Sequence, residues 1–152
     1  MATPLPHRYV VALEGTTDDT AWLAAPPRPL LLGGPPPEFG GQDTQWSPEH
    51  LLLGSVSLCL ATTFRALAKR EGLAIRAYAG QAEGVLDRTP DGLAFTSLTL
   101  QVELCVDAED VARAEQLLRR AKKQCLIGNS LKAPIGLEVS VQARASRPVA
   151  MA

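Results

Sequence analysis

Between Leu98 and Val106 apolar and polar residues alternate. Leu98, Leu100, Val102, Leu104 and Val106 fall on one phase, and Thr99, Gln101, Glu103 and Cys105 on the other. A period of two is the mark of a strand with one buried face. The same alternation sets Ile135, Leu137, Val139 and Val141 against Gly136, Glu138, Ser140 and Gln142 and predicts a final strand. Leu73 to Asp87 reads as a further strand and Leu93 to Val106 as its return. Between them Thr89-Pro90-Asp91-Gly92 is a turn, because Pro presets φ and Gly allows a positive one.

Two segments have helical spacing instead. The first begins at Ser47, whose hydroxyl suits an N-cap, followed by Pro48 at the first helical position. It runs to about Arg70, with Gly72 as the stop. Leu51, Leu52, Leu53, Val56, Leu58, Leu60, Ala61, Phe64 and Leu67 make it apolar nearly all round. Such a helix needs cover on every side, more than one small domain supplies, so a second subunit is expected to provide part of it. The second helix is predicted from Ala108 to about Cys125, capped by Asp107. Its single seam is Val111, Ala114, Leu118, Ala121 and Cys125, with Arg113, Arg119, Arg120, Lys122 and Lys123 on the outer faces.

The chain ahead of Ser47 is broken by Pro26-Pro27, Gly33-Gly34, Pro35-Pro36-Pro37 and Gly40-Gly41. Short strands are predicted at Tyr9–Leu13, Ala21–Leu23 and Leu30–Leu32, at an edge or lying as an arm against a partner. The expected fold is α+β: two main helices packed against a mainly antiparallel sheet. Residues 1–152 are expected to form one domain, with an extended arm over about 1–46, a core over about 47–144, and a loose tail from Ala145.

Composition narrows the function classes. A net charge of −1 lacks the basic footprint of a nucleic-acid binder. No apolar run is expected to cross a bilayer, and the start lacks a secretory signal. Three cysteines are too few for a secreted disulfide framework, so a cytoplasmic protein with transient disulfide chemistry is expected. Gly33-Gly34 and Gly40-Gly41 have no following Lys-Ser/Thr and read as turns, not a phosphate loop. His50, Glu49 and a cysteine are a conceivable metal set, but no Cys-x-x-Cys spacing supports it. No resident cofactor or metal is expected.

A lone Cys on an apolar helix is most often a small core residue. Cys105 lies on the polar phase of its strand and reads as structural or incidental. Cys59 and Cys125 both face the core from two helices. Bridging them requires Cα atoms within about 7 Å, which spacing alone leaves open.

Glu38-Phe39-Gly40-Gly41, then Ser47-Pro48-Glu49-His50-Leu51-Leu52-Leu53 with Cys59 in the same helix, resembles the osmotically inducible protein C and organic hydroperoxide resistance (OsmC/Ohr) proteins. So does Cys125-Leu126-Ile127-Gly128-Asn129-Ser130-Leu131 followed by Ile135 to Val141. The resemblance spans roughly residues 33 to 143. It implies an intertwined homodimer with two central helices, and an antioxidant enzyme of the stress response that reduces organic hydroperoxides. Cys59 would be the peroxidatic thiolate, Cys125 the resolving one, and Glu49 the acidic residue at the helix start. An external dithiol, such as a dihydrolipoyl-bearing protein, would restore the enzyme. In one respect the chain departs from this pattern. Hydroperoxide resistance proteins carry an Arg in the loop after the first strand, where this chain reads Glu14-Gly15-Thr16-Thr17-Asp18-Asp19. Arg8 and Arg28 match no motif, and neither is assigned.

Glu49 lies ten positions before Cys59, about 15 Å along a helix axis. Its side chain also leans toward the N-terminus. It is therefore expected to reach the thiol of a partner whose helix runs antiparallel, there orienting a cation or accepting a hydrogen bond. A diverged dimer that binds a small apolar ligand without turnover is the alternative. A pure interaction domain, with both thiols inert, is a third reading.

Overall fold

The computed structural model describes residues 4–15 and 18–144. The tail from Ala145, and Thr16 and Thr17 of the loop without arginine, lie outside the described residues. Residues 1–52 and 53–152 form two compact units.

In the first unit β1 (Ala12–Gly15), β2 (Ala21–Ala24) and β3 (Leu31–Gly33) form an antiparallel sheet in chain order. The first strand is displaced from its expected place at Tyr9–Leu13. Tyr9, Val10 and Val11 are exposed and unpaired in this sheet, and pairing begins only at Ala12, opposite Ala24. Propensity alone does not make a strand where no neighbour supplies hydrogen bonds. Past β3 the chain folds tightly on itself: an added Cβ at Gly41 would overlap the Pro35 carbonyl.

The long helix α1 (Pro48–Glu71) starts and stops as expected. The His50 N–H donates to Ser47 Oγ at 3.2 Å, the N-cap bond, and the same oxygen lies 2.7 Å from His50 Nδ1. At the other end Gly72 takes φ +67° and Leu73 N–H returns to the Ala68 carbonyl at 2.9 Å. Leu73 is thus spent on leaving the helix, and the next strand begins at Ile75.

In the second unit β4 (Ile75–Thr89), β5 (Gly92–Asp107) and β6 (Ile135–Arg144) form a sheet in the order β4-β5-β6. β4 and β5 are antiparallel and joined through Pro90-Asp91, with Gly92 at φ +115°. β5 and β6 are parallel, so a crossover joins them. That crossover holds α2 (Val111–Gln124) and the short α3 (Leu126–Asn129). Sheet pairs are otherwise antiparallel, and the α+β plan holds.

One phase of β5, Leu98 to Val106, is buried, and its core mates come from both helices. They are Val56, Leu60, Phe64, Leu67 and Ala68 of α1, and Ala114, Leu117, Leu118 and Ala121 of α2. Both helices therefore cover one sheet face. Gln101 and Glu103, on the opposite phase, are exposed. Arg120 pairs with the Glu71 carboxylate and Arg113 donates to the Glu71 carbonyl, fastening α2 to the end of α1.

Two expectations need correction. Asp107 makes no side-chain cap; it accepts from Arg76 Nε at 3.0 Å and Nη2 at 2.7 Å, and a 3-10 turn at Ala108–Asp110 precedes α2. A bidentate guanidinium is the stronger donor for a carboxylate than one backbone N–H. Within the described chain α1 is buried on one side, as expected of a helix that one small domain does not cover alone: Gly54, Ser55, Thr62, Arg65 and Ala66 are exposed, and so is Leu58, at 65%. Lastly, α1 is long and apolar enough to cross a membrane by length and composition alone. The core helix of a globular domain passes the same test, and five α1 residues are buried in the core.

Candidate functional site

Cys59 stands in the middle of α1, half-buried, one residue before the buried Leu60. Cys125 falls where α2 ends. The helix was expected to run to about Cys125 and ends one residue before it: Cys125 takes φ −68° and ψ 105°, an extended conformation that stops the spiral. The chain re-enters a helix at once, and Cys125 becomes the N-cap of α3: its Sγ accepts the Gly128 N–H at 3.4 Å. The Asn129 side chain donates to the Lys123 carbonyl at 3.0 Å and its N–H to the Cys125 carbonyl at 2.9 Å, so the corner is held on both sides.

This corner turns the Cys125 thiol onto α1. The Cys59 thiol lies near enough to raise the pKa of Cys125, and neither cysteine is in a disulfide. Cys125 is only 2% exposed. Burial pushes its thiol pKa up, and the hydrogen bond and charge of Cys59 add to this, while the N–H groups of Gly128 and Ile127 pull it down. Proximity of two sulfurs with one partly accessible is the arrangement in which a sulfenic acid on one condenses with the other.

A cavity of about 340 Å³ opens against Cys125, bounded by Val56, Leu100, Ala133 and Ile135 on its apolar side and by Lys122 and Lys123 on its charged side. Sequence reasoning had set both lysines on the outer face of the helix. The signal that places them here is the break at Cys125, which brings the last turn of α2 beside the sulfur.

Glu49 occupies the first turn of α1, within the first compact unit, and Cys59 belongs to the second. The Glu49 Oε2 is buried and has no hydrogen-bond partner among the described residues. Of the two arginines left unassigned, Arg28 donates to the Ala25 carbonyl at 3.2 Å and Arg8 is exposed. Cys105 lies opposite Ala77 and Gln142 on the solvent phase of β5, separate from the cysteine pair. Among the described residues no group of His, Cys, Asp and Glu is arranged to hold a metal ion.

Residues 41–140 match the OsmC-like protein family. The uncharacterized protein YmaD of Bacillus subtilis is 26% identical over 113 residues, 72% of this chain and 75% of that one. An OsmC-like protein of unknown function from Vibrio cholerae superposes with a TM-score of 0.81 at 16% identity, over 89% of this chain and 100% of that one. An organic hydroperoxide resistance protein from Elizabethkingia anophelis does so at 0.71 and 15%, over 92% and 100%. A Vibrio cholerae protein described as a putative organic hydroperoxide resistance protein, with captopril bound in one of the active sites, gives 0.65 and 20%, over 91% and 95%. These structures share the fold, and the match of residues 41–140 covers well over half of the sequence: the chain belongs to the OsmC-like protein family.

Proposed function

We propose that this protein is a thiol-dependent peroxidase that reduces organic hydroperoxides, with Cys59 as the attacking sulfur and Cys125 as the resolving one. The observation that carries this reading is the nearness of the two thiols at the α2–α3 corner, close enough for Cys59 to raise the pKa of Cys125. The Cys59 thiolate attacks the terminal oxygen of the hydroperoxide. The O–O bond breaks, the alkoxide leaves and is protonated to the alcohol, and Cys59 becomes a sulfenic acid. The Cys125 thiolate then attacks the Cys59 sulfur, expelling hydroxide, which leaves as water. An external dithiol reduces the resulting disulfide and is itself oxidised. A reducing cytoplasm suits that last step.

The apolar residues near the pair favour hydroperoxides with a hydrocarbon tail, since each buried CH₂ is worth about 0.8 kcal/mol. The protein acts as a homodimer in which α1 of each subunit covers the other. In this arrangement the Glu49 carboxylate, whose Oε2 has no partner among the described residues, meets the site built on Cys59 of the partner subunit, where it orients a cation or accepts a hydrogen bond. The apolar side of the cavity also supports a second reading, a dimer that binds a small apolar ligand without turnover.

One equivalent of cumene hydroperoxide separates the two. Stopped-flow mixing should consume it rapidly, peptide mapping should find a Cys59–Cys125 disulfide, and Cys59→Ser should lose both. Unreactive thiols in the wild type would decide for the ligand-binding reading.

A further inference from the structure

Cys59 is not in the wall of the cavity beside the redox pair, but Cys125 is, together with Lys122, Lys123, Gly128 and Asn129. That asymmetry bears on how the disulfide is reopened. Thiol–disulfide exchange is a displacement at one sulfur by a thiolate, and access decides which sulfur is struck. Cys59 is the more exposed residue overall, but Cys125 is the one in this cavity's wall, so an anion that enters here meets Cys125 first. The two lysines sit in the last turn of α2, and among the described residues neither is paired with a carboxylate. Their charge raises the local concentration of a thiolate and favours its ionised form.

Resting on the peroxidase reading for its place in the cycle, we propose that this cavity is the docking site of the thiol reductant, that exchange occurs at the Cys125 sulfur, and that Lys122 and Lys123 select thiols carrying negative charge. The incoming thiolate forms a bond to Cys125 Sγ as the bond to Cys59 breaks. The electron pair leaves on Cys59, which is returned directly as the thiolate needed for the next peroxide. A second thiol of the reductant then attacks the mixed disulfide, releases the Cys125 thiolate and closes the reductant's own disulfide, so that two electrons have passed.

The test starts from protein oxidised with diamide, which makes the Cys59–Cys125 disulfide without any hydroperoxide, in a Cys105→Ser background. A protein that failed as a peroxidase would still enter it. Three monothiols of similar size are compared at equal thiolate concentration: 2-mercaptoethanesulfonate, 2-mercaptoethanol and cysteamine. The anionic thiol is expected to react about tenfold faster than the cationic one, and the gap to narrow with added salt. It should close in a K122Q/K123Q variant. Rapid quenching with N-ethylmaleimide and peptide mapping should find the mixed disulfide on Cys125 and the alkyl label on Cys59. A mixed disulfide on Cys59, or a charge ranking unchanged by the lysine substitutions, would overturn the proposal.

Discussion

The sulfur of Cys125 accepts the backbone N–H of Gly128 at 3.4 Å. With the Ile127 N–H, that donor pulls down a thiol otherwise pushed up by burial and by Cys59, and the upward effects dominate. The attacking form in the resolving step is the thiolate. Conversion of the Cys59 sulfenic acid to the disulfide should therefore keep accelerating above pH 9.0, the ordinary value for this thiol, by about tenfold per unit until the raised value is reached. Stopped-flow detection of the sulfenic acid over pH 6 to 10 checks this; a plateau well below pH 9.0 would contradict it.

The same shift predicts a stability effect with a definite sign. Folded Cys125 holds its proton more tightly than unfolded Cys125, so between the ordinary and the raised value the folded state binds more protons. The contribution is complete below pH 9.0 and is lost as pH rises through the folded value. Thermal midpoints should fall more steeply above pH 9.0 for wild type than for Cys125→Ala.

Ser47 is 1% exposed and its hydroxyl binds His50 through both the backbone N–H and the ring. Ser47→Ala removes the cap at the start of α1. A loss of about 1 kcal/mol is expected in urea unfolding, with Ser47→Thr recovering most of it. Equal stability of wild type and Ser47→Ala would show that the cap carries no net weight.

How much of this was legible beforehand varies with the physics involved. The alternation in β5 and β6 was readable because a strand's side chains change face at every residue, and Gly72 was readable because few other residues accept φ +67°. Asp107 was misplaced because its partner, Arg76, is remote in sequence, and no local pattern reveals such a pair. The extended turn at Cys125, at the end of the predicted seam, left no mark in the apolar pattern, and neither did the cavity and its lysines. The resemblance to a known family found the two cysteines. Their nearness and the corner beside them are matters of tertiary packing.

The exposed face of α1 carries Leu58, 65% exposed, between small and polar neighbours. In the proposed dimer this face is covered. Leu58→Glu should then shift the protein from dimer to monomer in sedimentation velocity, while Leu58→Met should not. A wild type that sediments as a monomer at micromolar concentration would remove the basis for the expectation.

The parallel partnership of β5 with β6 has a consequence for biogenesis. β5 takes β4 as its neighbour through a two-residue loop, so that half of the sheet can zip as soon as it leaves the ribosome. The other half must wait until α2, α3 and then Ile135–Arg144 have been made. Until then the β5 edge facing β6 is a bare row of peptide groups, open to any stray strand, and a released chain truncated at α3 carries that hazard in full.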